Sequence, residues 1–306
     1  MGTLYLDGLE YPEGHLSCMA CFIGAARYLG CDEPEAWLYG TSGMAFFSHM
    51  NKGGVCPSYP SDWNWHACTQ PMRNAGVSLE TVHAPHGDLP KVVKTLLSEG
   101  VPVCGFSAVP WENVLVRGFT DTPKGESIRY LYLEPDEGKF NPWEKFESTP
   151  TKIALVPPSD TSTAIKMGLQ CAVEMNMDTK QFLNGPSDDV MGYEAFYCAA
   201  TWLEKEQDLD HAFTYNVAVW EECRRNAVDF VGEANARLDD DTLTKLFEEL
   251  ERLCREIHGD LKTIVDTFGD TIPAGKHEEY AKHLRHAGDT EKAAVALMEE
   301  IISHME

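Results

Sequence analysis

Nowhere in the chain does an apolar run approach the roughly twenty residues that a membrane-spanning helix needs, so a water-soluble globular protein is expected. Basic residues are scarce: 25 Lys and Arg stand against 49 Asp and Glu, a formal charge of −24. Nucleic acid and anionic membranes both demand a basic face, which argues against them as partners. Acidity of this size mostly confers solubility, with a weak bias toward a cationic substrate. The N-terminus, Met1-Gly-Thr-Leu-Tyr-Leu-Asp, lacks the basic start and apolar stretch of a secretory signal, and residue 6 is Leu rather than the Ser or Thr of a myristoylation site. A cytoplasmic location is therefore expected. Phosphate loops, dinucleotide-binding glycine fingerprints and Ser-centred elbows are also lacking, which leaves ATP, NAD and α/β-hydrolase chemistry without support, and no cofactor is expected. Cysteine, by contrast, is plentiful. Ten are scattered through apparent helices and strands, and without a signal they read as intracellular thiols rather than a disulfide framework.

At 306 residues the chain is long enough for two domains with cores of their own. The stretch that carries the most chemistry runs from Gly14 to Gly30. Gly14 and Ser17 suit a helix start, Gly30 suits a helix stop, and Phe22, Ala25, Ala26 and Leu29 recur at helical spacing. Cys18 then falls in the first turn, where unpaired backbone amides and the helix dipole favour a thiolate.

Beyond it, short helices are expected near 32–40, 65–75 and 88–99, with an apolar strand at 44–47 and a long Gly-, Pro- and aromatic-rich loop from Gly53 to His66. Strands follow at 77–82, 101–106, 112–119, 128–134 and 152–156. Helices first and a meander of strands afterwards indicate an α+β domain with an antiparallel sheet over residues 1–157. Pro157-Pro158-Ser159-Asp160-Thr161-Ser162 breaks the composition. From 163 to 306 the apolar positions recur every three or four residues, as in Phe213, Val217, Trp220, Ala227 and Phe230, then Leu243, Leu246, Leu250, Leu253 and Ile257. Two shorter helices, 275–286 and 289–304, are expected to complete an all-α bundle.

Gly14-His15 through Cys18 to Gly30, Leu38-Tyr39-Gly40-Thr41-Ser42-Gly43-Met44-Ala45-Phe46, Gly100-Val101-Pro102-Val103 and the strand from Glu112 to Gly118 together resemble the N-terminal domain of the butirosin biosynthesis protein H family. Gly192-Tyr193-Glu194-Ala195-Phe196 and the helix around Trp220 to Ala227 are similar to the helical domain that often follows it. The resemblance implies a papain-like cysteine-peptidase fold. It further implies acyl transfer from a carrier-protein thioester to an amine by a cysteine nucleophile, which admits an acyl carrier protein as a partner. The family's peptidase relatives open one strand with His and close the next with Asp-Pro. Here those slots hold Glu112 and Glu134-Pro135, and no glutamine precedes Cys18.

The candidate catalytic residues are Cys18 as nucleophile with His15 or Glu112 handling the proton. A negative Glu112 beside the thiol would raise its pKa, which argues against peptidase activity. A buried helix cysteine is the plainer reading of Cys18. His15, Cys18 and Cys21 also form an H-x-x-C-x-x-C array, but zinc usually draws two pairs from separate turns, so Cys21 reads as a core residue and no metal is expected. Cys56, Trp63, Trp111, Glu134, Tyr193 and Glu194 are the candidate binding residues. A carboxylate at Glu112 with tryptophans nearby suits an amine-bearing ligand, by ion pairing and cation–π contact. Two functions remain: a cysteine-dependent acyl or amide transferase, or an inactive papain-like scaffold binding a small molecule in a cleft between its domains.

Overall fold

In the computed structural model, the described residues are 3–51, 70–107, 112–123, 125–131, 140–146, 148–177, 181–182, 189–205, 211–269 and 272–305, with the backbone alone for 86, 211 and 212. The elements run β1 (Thr3–Tyr5), α1 (Ser17–Tyr28), α2 (Glu35–Thr41), β2 (His49–Asn51), β3 (Val77–Thr81), α3 (Leu89–Ser98) and β4 (Val103–Ser107). Next come β5 (Glu112–Thr122), β6 (Gly125–Leu131), β7 (Asn141–Pro142), β8 (Thr151–Leu155) and α4 (Thr161–Met177). β9 (Asp189–Met191), α5 (Tyr193–Glu204), α6 (His211–Leu238), α7 (Asp241–Val265) and α8 (His277–His304) finish the chain. The protein is α+β, with an antiparallel sheet and a helical C-terminal half. No helix among the described residues is long and apolar enough to cross a membrane.

The chain divides into two compact units, one of residues 1–33 with 76–157, the other of residues 34–75 with 158–306. From sequence alone, residues 34–75 go with the first domain; in the structure they belong to the second unit. The physical reason lies in α2, where Gly40 has no side chain to hold the Phe230 ring of α6 away. A Cβ there would lie 1.9 Å from that ring. On α4, Gly168 likewise lets the Gly40 carbonyl approach to 2.3 Å from where its own Cβ would be.

Among the described residues, the first unit is built on a seven-stranded sheet, six strands in the order β3-β8-β4-β5-β6-β7 and β1 paired with β5 off that path, all pairs antiparallel. Strand β5 organises it. Its first half, Glu112–Val116, pairs with β4, and beyond a bulge between Val116 and Gly118 the same strand pairs with β1. Val114, Leu115, Val116 and Phe119 are fully buried with Ile128 and Ile153, and α1 packs against β5. α1 stops where the pattern places its end. Gly30 adopts φ +94°, its N–H donates to the Arg27 carbonyl at 3.0 Å, and that of Cys31 donates to Ala26 at 2.9 Å. The start is different: Leu16 holds the cap position and no side chain caps the helix.

The second unit is a helical bundle around Trp220, Phe196, Phe230, Phe247 and Tyr280. Helix α7 shows why the sequence reads so clearly there. Asp240 caps it by accepting from the Thr242 and Leu243 amides at 2.8 and 3.3 Å, and Leu243, Phe247, Leu250, Cys254, Ile257, Leu261 and Ile264 form one buried stripe. Two expectations are corrected. Residues Met44–Phe46 form a 3₁₀ turn rather than a strand. The C-terminal pair of helices is one continuous helix, α8. Gly288 does not break it; it makes room for Tyr197, whose ring would stand 2.7 Å from a Cβ at that position.

Candidate functional site

The chemistry expected of the first unit centres on the first turn of α1 and the first residues of β5. Ser17, the residue before Cys18, ties the two together. Its Oγ accepts from the Asn113 backbone N–H and from Asn113 Nδ2, both at 3.3 Å. Tyr11 spans the same junction, its hydroxyl donating to the Ser17 carbonyl at 3.3 Å and lying 3.5 Å from that of Asn113. Glu112 is the immediate neighbour of Asn113, so the fold brings its backbone to the turn that carries Cys18. Neither Tyr11 nor Asn113 is singled out by the sequence. The signal was faint: a polar residue, Asn113, between Glu112 and the apolar run Val114–Val116.

Around Cys21, one turn into α1, the electrostatics oppose a thiolate. Cys18 is only 2% exposed, while Glu112 is half-buried. One turn further on, the Cys21 thiol is pushed well above its usual range, first by burial and then by Cys104, Cys18 and Glu112. Burial also pushes the Cys104 thiol on β4 up to about 12. His15 lies exposed in the bend ahead of α1. Among the described residues, no group of three or more His, Cys, Asp and Glu side chains is arranged to hold a metal ion, the His15-Cys18-Cys21 array included.

Cys56, Trp63, Trp111 and Glu134 lie outside the described residues. Tyr193 and Glu194 belong to the second unit, where they open α5. The Tyr193 N–H donates to Asn176 Oδ1 at 2.9 Å, and its ring lies 5.8 Å from Lys292 Nζ and 6.1 Å from the Tyr197 ring. Glu194 is exposed.

Arg224, in the helix after Trp220, is occupied structurally. Fully buried, it donates from Nε and Nη2 to Glu291 at 2.9 and 2.8 Å, and from Nη1 to the Ala45 and Phe47 carbonyls at 3.1 Å each. Beside it in the bundle the Tyr39 hydroxyl donates to the buried Glu222 carboxylate. His49 Nε2 and Asp189 Oδ1 form a further buried pair at 3.5 Å, with Asn51 Nδ2 donating to the same carboxylate at 2.7 Å. These contacts explain why the segment 44–51 stays with the helices.

No protein-family model matches the chain, and no curated protein matches it.

Proposed function

We propose that the chain is a small-molecule-binding protein on a papain-like scaffold that has given up cysteine catalysis, with the Glu112 carboxylate anchoring an amine-bearing ligand. The observation that carries this reading is the burial of Cys18 at 2% exposure on a turn tied to the strand that Glu112 opens. A thiol is a nucleophile only as its thiolate, and both burial and a neighbouring carboxylate favour the neutral form. Imidazolium, which would reverse that balance, is not the group that leads β5.

Labelling with iodoacetamide near neutral pH, followed by peptide mapping, tests the first half. Cys18 is expected to react no faster than the other buried thiols. A panel of alkylamines tests the second: Glu112→Gln should weaken their binding about tenfold, the equivalent of about 1.4 kcal/mol for a half-buried ion pair. Unchanged affinity would sink the anchoring role.

A second reading keeps one specific observation in its favour. Cys18 occupies the first turn of α1, where the helix dipole stabilises an anion. Selective modification of Cys18 in the labelling experiment would therefore support a cysteine-dependent acyl or amide transferase instead, with an acyl carrier protein as the natural donor.

A further inference from the structure

The second unit holds a cavity of about 460 Å³ between the 3₁₀ turn Gln70–Ala75 and helix α4. Its size falls within the range of small-molecule sites, roughly 300–1,000 Å³. Asn74, Cys171 and Phe182 line it from the buried side, and Arg73, Met167 and Glu174 from the open side.

Asn74 is the informative residue. It is 6% exposed, and its side-chain Nδ2 has no hydrogen-bond partner. The rest of the residue is held in place. Its carbonyl accepts from the Ser159 N–H at 3.2 Å, and its Oδ1 pairs with the Ser159 hydroxyl at 3.3 Å. A buried polar group without a partner costs about 1–3 kcal/mol, and folded proteins leave few of them. A ligand that completes the pairing recovers that cost.

The lining gives the ligand its chemistry. Arg73 contributes a guanidinium from the 3₁₀ turn, Glu174 a carboxylate from α4, and Met167 and Phe182 an apolar wall. Glu174 accepts one hydrogen bond from Gln181 Nε2 at 3.1 Å, which leaves a carboxylate lone pairs for a cation. We infer that this cavity binds a free α-amino acid with an apolar side chain, its carboxylate toward Asn74 and Arg73 and its ammonium toward Glu174. The inference is independent of the role given to Glu112 in the other unit.

Isothermal titration of the full-length chain with L-leucine, L-methionine and L-phenylalanine tests it. Saturable binding of at least one is expected. Isopentylamine and 4-methylpentanoate, which each keep one of leucine's two charges, should bind about tenfold more weakly or not at all. Arg73→Ala should weaken binding about tenfold. Gln170→Trp, at an exposed position on the cavity wall, should abolish it while leaving the far-ultraviolet circular dichroism unchanged. Absence of heat with all three amino acids up to about 10 mM would overturn the inference. So would equal binding of the singly charged analogues, or undiminished binding to Gln170→Trp.

Discussion

Arg224 and Cys104 show how differently a buried polar group can be accommodated. Arg224 directs four N–H bonds at Glu291 and two backbone carbonyls, and so remains charged at zero exposure. Its partner Glu291 is pulled both ways: burial pushes its carboxyl up, and the guanidinium pulls it back. Removing one member of such a pair strands the other. Arg224→Ala is expected to destabilise the helical unit by about 3–5 kcal/mol, read from urea denaturation followed by circular dichroism. Cys104 solves the problem by staying neutral, as do Cys21 and Cys254, all three raised first by burial. At pH 8, these thiols should resist Ellman's reagent in the native protein and react at once in denaturant. Prompt native reaction of any of them would contradict the burial described for it.

At the scale of the element, two glycines in helices make opposite predictions. Gly40 in α2 sits under the Phe230 ring, and a Cβ would land 1.9 Å from it. Gly40→Ala should therefore cost about 1–3 kcal/mol, as overpacking usually does. At Gly259 in α7, nothing lies within 4 Å of where a Cβ would stand. There Gly259→Ala should stabilise by about 1 kcal/mol, because alanine loses less backbone entropy on entering a helix. Equilibrium unfolding of the two variants side by side gives the comparison; a shared sign would mean that packing does not decide these positions. Asp240 caps α7 through the Thr242 and Leu243 amides, and Asp240→Ala should lower the unfolding midpoint in the same assay.

Across the molecule as a whole, the pH dependence of stability has an identifiable contributor at the α7–α8 seam. Asp260 on α7 accepts from His283 Nδ1 at 2.7 Å and His286 Nδ1 at 2.6 Å, and His286 Nε2 lies 3.2 Å from Glu256. The hydrogen bond to Asp260, ahead of the charges of Asp260, Glu256 and Asp289, raises His286 above its ordinary 6.5. A histidine whose pKa is higher folded than unfolded stabilises fully below the unfolded value. That contribution is lost as the pH climbs through the folded value. The melting temperature should accordingly fall from mildly acidic to mildly alkaline pH, and Asp260→Asn should flatten this slope. An unaltered slope in that variant would assign it to other groups.

Much of this architecture is local physics and was legible in the chain. The apolar stripe from Leu243 to Ile264 and the Gly30 stop depend only on neighbours within a turn or two, and so does the apolar run Val114–Val116 that makes β5 a strand. The position of Cys18 in the first turn of α1 follows in the same way. What the amino-acid order did not disclose are the partners that arrive from far along the chain. Asn113 reaching Ser17, Arg224 meeting Glu291, and Phe230 lying on Gly40 are each separated by dozens of residues or more. Periodicity names the face a residue presents but not the residue that will meet it. That is why the two helices expected over 275–286 and 289–304 proved to be one, with Gly288 a seat for Tyr197, and why residues 34–75 joined the helices rather than the sheet. The unmatched amide of Asn74 belongs to the same class, because burial and the lack of a partner exist only once the chain has closed around it.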